Sequence, residues 1–253
     1  GEWATTTVAV GKNNNLEINK EIHFPHSLGL LYSAFTYYTG FKVNSGEYKL
    51  MGLAPYGKAN YVNQILKIID IKEDGTFRLD QSYFNYATGL TMTNHKFHEL
   101  FGQKPRNSNS ENLTQFHMNI ASSIQKVTEE IMIKLTKSIQ KEYGLKNLCL
   151  AGGVALNGVA NYRILKESPF ENVHIPPSPG DAGSAVGCAQ YLYFVHKNQQ
   201  RMKSDNTNSI IENIYVGPSY SKDEIKQFLD NKNIQYDELD DSLTIEKCAK
   251  LIS

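Results

Sequence analysis

The sequence has no excess of charge of either sign and no long apolar run. Lysine plus arginine and aspartate plus glutamate both number 26 among its 253 residues. Such a balance provides neither the basic surface that nucleic acid requires nor an acidic surface for a basic partner. No apolar stretch approaches the ~18 residues that a membrane-spanning helix needs. We therefore expect neither a nucleic-acid partner nor a membrane segment.

Cysteine is also scarce, and its placement excludes two common structural devices. The three cysteines, Cys149, Cys188 and Cys248, lie far apart and form no C-x-x-C pair. This spacing argues against a disulfide framework and against a cysteine zinc site. It is typical of a reducing compartment, and the N-terminal residues show no signal-peptide pattern. The sequence thus predicts a cytoplasmic protein, and its 40% hydrophobic residues are enough for a proper core.

The first 144 residues predict β-hairpins and helices. Alternating threonine and valine residues predict a hairpin over 3–24, and Ser27 then caps a helix that Gly40 ends. The glycine-punctuated stretch 45–58 predicts a loop or a broken helix. Isoleucine and leucine at helical spacing predict the longest helix over 113–143. Between these segments we predict a helix over 61–69 and a small hairpin around Asp74 and Gly75.

The next segment predicts a parallel sheet layer with helices against it. Its elements alternate as strand, helix, strand and helix over residues 147–151, 155–167, 171–176 and 182–197. This order is typical of α/β folds, in which such consecutive strands run parallel.

A polar stretch without periodicity, residues 198–209, is the best candidate for a linker. It predicts a first domain over 1–204 and a second α/β domain over 205–253. The second domain begins with three predicted elements: a strand at 210–217, a helix capped by Ser221 and a strand at 234–239. Because the sequence starts within a predicted strand and stops within a predicted helix, we interpret both ends as cuts in a longer protein.

Two glycines at a strand-to-helix junction are the first candidate for a binding site. Gly152 and Gly153 follow the predicted strand, and Asn157 lies just beyond them. Glycines let backbone N–H groups face an anionic ligand, and an asparagine offers both a donor and an acceptor to a sugar hydroxyl or a base edge. In the alternative interpretation the glycines only allow close packing of strand and helix, and Asn157 is exposed.

A second candidate follows the next predicted strand. Asp181 comes directly after Gly180 and before an alanine- and glycine-rich helix. An aspartate there is first of all a good helix N-cap. However, ligands of open α/β sheets bind beyond the carboxyl ends of the strands, and the two glycine-containing strand ends should open on the same edge. A carboxylate beside a phosphate-accepting turn is a natural place for a divalent metal.

Four stretches in order resemble one family. They are GEWATT, GEYKLMGLAPYGK, LAGGVALNGVAN and IPPSPGDAGSAVGCA, within residues 1–200. Together they resemble the O-carbamoyltransferases of nodulation and antibiotic tailoring, which are similar to the tRNA threonylcarbamoyl-transfer ATPases. The resemblance implies an actin/hexokinase-like fold, in which a nucleotide lies between two ribonuclease-H-like lobes. It makes domain 1–204 the larger part of such a transfer domain, and 205–253 the start of a C-terminal domain that forms carbamoyl-adenylate.

The resemblance also implies roles for particular residues. The nucleotide is expected at Gly152, Gly153, Val154 and Asn157. Gly1 and Glu2 match the end of the family's phosphate turn, Asp-Gly-x-Gly-Glu. Asp181 is implied as a ligand of iron or another divalent metal, whose two histidine ligands belong to a motif that precedes this sequence, so the metal site is incomplete here. His95 and His98, three apart on a predicted helix, have a spacing that permits metal binding, but they lie outside the matched motifs.

Lys49 lies within the second matched stretch. The resemblance favours a cation that meets phosphate or carbamoyl oxygens, because an ammonium acts on them as a point charge. In the alternative interpretation, Lys49 is an ordinary solvated lysine.

The implied activity is carbamoyl transfer. Carbamoyl phosphate and ATP form carbamoyl-adenylate, and the carbamoyl group then passes to a hydroxyl of a sugar or natural product. No catalytic base is assigned, and the fragment alone is expected to be inactive. Two alternatives stay open: a sugar or glycerol kinase of the same superfamily, and a non-catalytic nucleotide-binding module. A lobe separated from its partner would expose an apolar face, so self-association into a homo-oligomer is also expected.

Overall fold

The computed structural model describes residues 3–200 and 217–252. The chain divides into two compact units, residues 1–203 and 204–253, which we describe separately. Gly1, Glu2, the predicted strand over 210–217 up to residue 216, most of the predicted linker and the predicted domain boundary lie outside the described residues.

In its described part, residues 3–200, the first unit mixes helices with three small two-stranded sheets. Its strands are β1 (Ala4–Lys12), β2 (Asn15–His23), β3 (Ile69–Ile71), β4 (Phe77–Leu79), β5 (Asn147–Cys149) and β6 (Asn172–His174). Its α-helices are α1 (Leu28–Tyr38), α2 (Glu47–Leu53), α3 (Val62–Ile65), α4 (His95–Phe101), α5 (Gln115–Tyr143), α6 (Gly158–Glu167) and α7 (Asp181–Gln190). Short 3-10 turns lie at Ala54–Tyr56, Gln81–Tyr83 and Gly153–Leu156. The mixed α/β class is therefore confirmed.

Helix α5 is the centre of the hydrophobic core. Its buried side chains include Ile120, Ile124, Val127 and Ile131, which recur every three or four residues and so line one face. Helices α1, α2, α3 and α6 all pack against α5. The helix ends where Gly144 adopts a left-handed conformation with φ of 63°, as glycine does at helix C-termini. The predicted longest helix is confirmed, with both ends within two residues.

Local signals also set the other predicted elements of the first unit. Strands β1 and β2 pair antiparallel as the predicted hairpin. The Ser27 side chain accepts the N–H of Leu30 at the start of α1. The stretch 45–58 is a broken helix, since α2 continues into the turn Ala54–Tyr56. Strands β3 and β4 form the small hairpin around Asp74.

Strands β5 and β6 pair parallel, as the strand–helix–strand–helix order predicts. The register places Leu148 opposite Val173. Each strand is only three residues long, shorter than predicted.

Other features also differ from their predictions. The helix predicted over 61–69 is only Val62–Ile65, because the chain then tightens into a turn and Ile69 joins β3. Residues 182–197 form two segments, α7 and a π-helix at Tyr191–His196. Asp181 is not the N-cap of α7 but its first residue, and Gly180 is the N-cap. Residues 234–239 have no strand structure, since no strand in the described part of the chain pairs with them.

The second unit contains α8 (Lys222–Asn231) and α9 (Asp241–Ile252). The predicted cap of α8 is confirmed: Ser221 Oγ accepts the Glu224 N–H at 3.2 Å, and Glu224 Oε2 accepts the Ser221 N–H at 2.7 Å. This reciprocal arrangement is a capping box. Within the described residues of both units, no helix combines the length and the apolar character that crossing a membrane requires.

A buried histidine at the start of α5 makes stability depend on pH. His117 Nδ1 accepts the Thr114 N–H at 3.0 Å and must therefore be unprotonated. Burial, together with the positive charge of Arg106, lowers the pKa of His117 below its usual 6.5. Below this value the unfolded chain therefore binds more protons than the folded chain. The stability that neutral His117 contributes is complete above about pH 6.5 and is lost as the pH falls below it.

We expect His117→Gln to reduce the loss of melting temperature between pH 7.5 and pH 5.0. Glutamine retains an acceptor for the Thr114 N–H but does not titrate. The melting temperature of the variant still falls somewhat with pH, because burial also lowers the pKa values of His26 and His98. Thermal unfolding at the two pH values measures the effect, with the exposed His174→Gln as control. A loss in His117→Gln equal to that of the wild type would contradict the assignment.

Candidate functional site

The two glycine-containing strand ends lie side by side. The Gly152 N–H donates to the Pro179 carbonyl oxygen at 2.7 Å, just beyond β5 and β6. A further bond, from Leu150 N–H to the His174 carbonyl at 2.9 Å, extends the pairing of the two strands. The prediction that both ends open on the same edge of the sheet is confirmed.

The glycine turn, defined here as residues 152–157, leaves open space at both of its first two glycines. Gly152 has φ of 99°, a conformation that side-chain-bearing residues rarely adopt. A Cβ added at Gly152 or Gly153 would meet no heavy atom within 4 Å. The interpretation that these glycines allow close packing of strand and helix is therefore wrong. At Gly153 neither backbone conformation nor packing within the described residues requires a glycine.

Two adjacent backbone N–H groups of the glycine turn have no acceptor among the described residues. They belong to Gly153 and Val154. The following N–H groups are used, since Ala155 N–H donates to the Gly152 carbonyl and Asn157 N–H donates to the Val154 carbonyl, both at 3.0 Å. Backbone N–H groups without an acceptor within the protein favour an anion or a carbonyl oxygen of a ligand as their acceptor.

Asn157 is buried, with 8% of its surface exposed, so the interpretation that it is exposed is wrong. It is the N-cap of α6, and its Oδ1 accepts the Ala160 N–H at 3.0 Å. Its side-chain amide also forms two hydrogen bonds with the side-chain amide of Gln125 in α5, at 3.0 and 3.1 Å. The Asn157 side chain therefore points into the protein and shapes the turn from within.

Gln125, which is 5% exposed, is not among the residues that the sequence motifs predict for the site. One signal was present: Gln125 shares helical spacing with Ala121, Thr128 and Met132, all buried on α5. A glutamine at an apolar position of an amphipathic helix indicates a buried hydrogen-bonding partner. Its partner Asn157 lies 32 residues away, on another element.

Asp181 lies at the same edge but is exposed. Among the described residues, no three histidine, cysteine, aspartate or glutamate side chains cluster as metal ligands. His95 instead pairs with Glu99 at 3.0 Å, and His98 bonds the Thr93 hydroxyl at 2.9 Å. Since one carboxylate alone does not complete a metal site, we derive no chemical step through a metal.

Lys49 is exposed on α2, and its Nζ lies 5.9 Å from the centre of the Tyr48 ring. Within residues 3–200, no ion pair holds it, and no hydrogen bond joins it to the glycine turn. The structure thus brings Gly152, Gly153 and Gly180 together, while Lys49 stays a separate candidate.

Comparison with known families assigns the chain. Residues 1–190 match the family model described as the N-terminus of carbamoyltransferases. The chain belongs to this carbamoyltransferase family. The match contains the glycine turn, Asp181 and Lys49, and it ends before the second unit. The family predicted from the four sequence stretches is confirmed.

Individual relatives agree with this assignment. An uncharacterized protein of Synechocystis sp. is 54% identical over the whole of this chain and 41% of its own length. Nodulation protein NolNO of Sinorhizobium fredii is 28% identical over 88% of this chain and 30% of its own length. Nodulation protein NolO of Bradyrhizobium diazoefficiens is 29% identical over 75% of this chain and 32% of its own length. The chain thus spans less than half the length of each of these three relatives.

Proposed function

We propose that this chain is the nucleotide-binding part of a carbamoyltransferase that carbamoylates a hydroxyl of a sugar or natural-product acceptor. Membership of the carbamoyltransferase family supports transfer of a carbamoyl group and small-molecule substrates. In this proposal carbamoyl phosphate and ATP supply the group as carbamoyl-adenylate, formed in a C-terminal domain that starts near residue 205. The first unit then belongs to a ribonuclease-H-like lobe of an actin-like fold.

The observation that carries the proposal is the open glycine turn. Gly153 and Val154 present adjacent N–H groups without an acceptor among the described residues, beside space that a side chain would fill. Phosphate oxygens are strong acceptors for such groups, and the absence of a Cβ lets them approach the backbone. The neighbouring strand end contributes Gly180, whose added Cβ would meet only Leu156 Cδ1, at 3.6 Å.

Each proposed residue has its own role. Gly152, Gly153 and Val154 hold nucleotide phosphate through the backbone, and Gly1 and Glu2 contribute to the phosphate turn. Asn157 acts indirectly, because its amide is already bonded to Gln125 and Ala160.

Two further residues are proposed outside the turn. Lys49 supplies positive charge to phosphate or carbamoyl oxygens. Asp181 is one ligand of a divalent metal whose other ligands lie outside the described residues. In the transfer step the acceptor oxygen attacks the carbamoyl carbon, AMP leaves, and the acceptor proton passes to a base that we do not assign.

We expect Gly153→Asp to weaken binding of a non-hydrolysable ATP analogue by about tenfold or more. The new carboxylate would lie beside the free N–H groups and repel phosphate, while the open space around Gly153 lets the variant fold. Calorimetric titration measures the affinity. Gly11→Asp is the matched control: it adds the same charge at an exposed glycine of β1, where an added Cβ meets only Leu16 and Asn15 at ordinary contact distances, and we expect unchanged affinity.

Equal affinity of Gly153→Asp and the wild type would overturn the assignment of the glycine turn. Carbamoyl transfer is tested separately, on a longer relative that matches the whole of this chain, such as the Synechocystis protein. A carbamoylated acceptor that forms only with carbamoyl phosphate supports the transferase. A phosphorylated sugar formed without carbamoyl phosphate would instead indicate a kinase, and binding without turnover a non-catalytic module.

A further inference from the structure

Gln125 and Asn157 form a buried pair of side-chain amides. Gln125 Nε2 donates to Asn157 Oδ1 at 3.1 Å, and Asn157 Nδ2 donates to Gln125 Oε1 at 3.0 Å. The pair joins the N-terminal half of α5 to the N-cap residue of α6. Both side chains are more than nine-tenths buried, so water does not compete for these hydrogen bonds.

The surrounding groups permit only one orientation of the two amides. Glu129 Oε1 accepts from Gln125 Nε2 at 2.7 Å, and a carboxylate accepts only. The Ala160 N–H donates to Asn157 Oδ1, and a backbone N–H donates only. Turning either amide over would place two acceptors or two donors face to face. The Tyr32 hydroxyl completes the arrangement by donating to Gln125 Oε1 at 2.9 Å.

The amide pair is connected to the free N–H groups of the glycine turn. The Asn157 N–H donates to the Val154 carbonyl, so the position of Asn157 determines where Val154 lies. A second link fixes α6 itself, because Arg163 Nη1 donates to Glu129 Oε2 at 3.1 Å. Helix α5 therefore holds α6 at two points, and the turn is attached to the first of them.

We propose that Gln125 is a positioning residue for nucleotide binding: through Asn157 it holds the glycine turn with the Gly153 and Val154 N–H groups facing the ligand. This inference rests on the proposed function, since it assigns Gln125 to the same site. Gln125 itself touches no nucleotide. Its effect is to fix in advance a turn that would otherwise have to be ordered during binding.

Gln125→Met tests the proposal because methionine fills a similar volume without forming the amide pair. We expect the affinity for β,γ-imido-ATP to fall by about tenfold. In the ligand-free protein, we also expect the amide NMR resonances of Gly153 and Val154 to shift. Ile131→Val is the control, because it removes a buried methyl group from the same helix away from the turn. If Gln125→Met acted only by destabilising the core, it would match Ile131→Val in its affinity for β,γ-imido-ATP and in the amide resonances of Gly153 and Val154.

Two further variants keep the test decisive. Tyr32→Phe removes only one hydrogen bond to Gln125 and leaves the core intact, so it provides the test if Gln125→Met fails to fold. We expect a smaller loss of affinity than in Gln125→Met and smaller shifts of the same resonances. The double variant Gln125→Asn with Asn157→Gln rebuilds an amide pair of the same combined length, and we expect it to recover part of the affinity.

The outcomes separate this inference from the proposed function. Wild-type affinity and unshifted resonances in both Gln125→Met and Tyr32→Phe would overturn the positioning role and leave the nucleotide site intact. If instead the folded wild-type chain does not bind β,γ-imido-ATP, the proposed function fails, and the role of Gln125 in nucleotide binding fails with it.

Discussion

Replacing Phe97 by alanine is expected to lower the free energy of unfolding of the first unit by about 3–5 kcal/mol. Phe97 is fully buried in α4. Its ring centre lies 4.7 Å from that of Phe101 and 5.1 Å from those of Phe35 and Tyr38. Removing the ring leaves a cavity between α1 and α4, and it also removes the edge-to-face contacts that stabilise aromatic clusters. Urea denaturation followed by circular dichroism measures the change.

The control for this prediction is Leu90→Ala. Leu90 is fully exposed, so we expect a change within about 0.5 kcal/mol. If Phe97→Ala cost less than about 1 kcal/mol, α4 would not belong to the core as described.

The second large effect is expected from Gly57→Ala, with a loss of about 3 kcal/mol. A Cβ at Gly57 would lie 1.9 Å from the Met118 carbonyl oxygen and 2.7 Å from the Asn119 N, both in the backbone of α5. The neighbouring residue holds this contact in place, since Lys58 N–H donates to Asn119 Oδ1 at 2.8 Å. Because Gly57 has φ of −112°, which alanine adopts readily, the loss comes from collision rather than from backbone strain.

Gly52→Ala is the matched control, five residues earlier in the same stretch. Gly52 lies in α2, where an added Cβ meets no atom within 4 Å. Alanine is the better helix former, so we expect a gain of about 0.5–1 kcal/mol. The two substitutions are chemically identical and should have opposite signs in the same urea titration. Equal effects would contradict the contact between residue 57 and α5.

Elements with strong local signals could be predicted from the sequence. The hairpin over 3–24, the cap at Ser27 and the glycine stop at Gly144 each depend on a few consecutive residues. The stretch 234–239 shows the limit of such signals. Its alternation suits a strand, but a strand forms only against a partner, and residues 217–252 supply none.

The candidate site was predictable in its location and not in its internal contacts. Parallel connection of successive strands placed Gly152 and Gly180 at one edge, because topology alone determines that outcome. The inward orientation of Asn157 depends instead on Gln125, a residue of another helix. A single sequence shows that Gln125 breaks an apolar pattern, but it does not show which distant side chain satisfies it. The binding roles of all the site residues, Lys49 and Asp181 included, stay predictions.

The position of α5 in the sequence has a consequence for how the protein is made. Helices α1 to α4 are synthesised before the helix on which the core is built, while α6 follows it. At about 5–20 residues per second, roughly 2–8 s separate the synthesis of Phe101 from that of Tyr143. During this interval the nascent chain carries apolar surfaces that α5 does not yet cover. Cooperative folding on the ribosome must therefore wait until α5 emerges, and a chaperone has its best opportunity to bind before then.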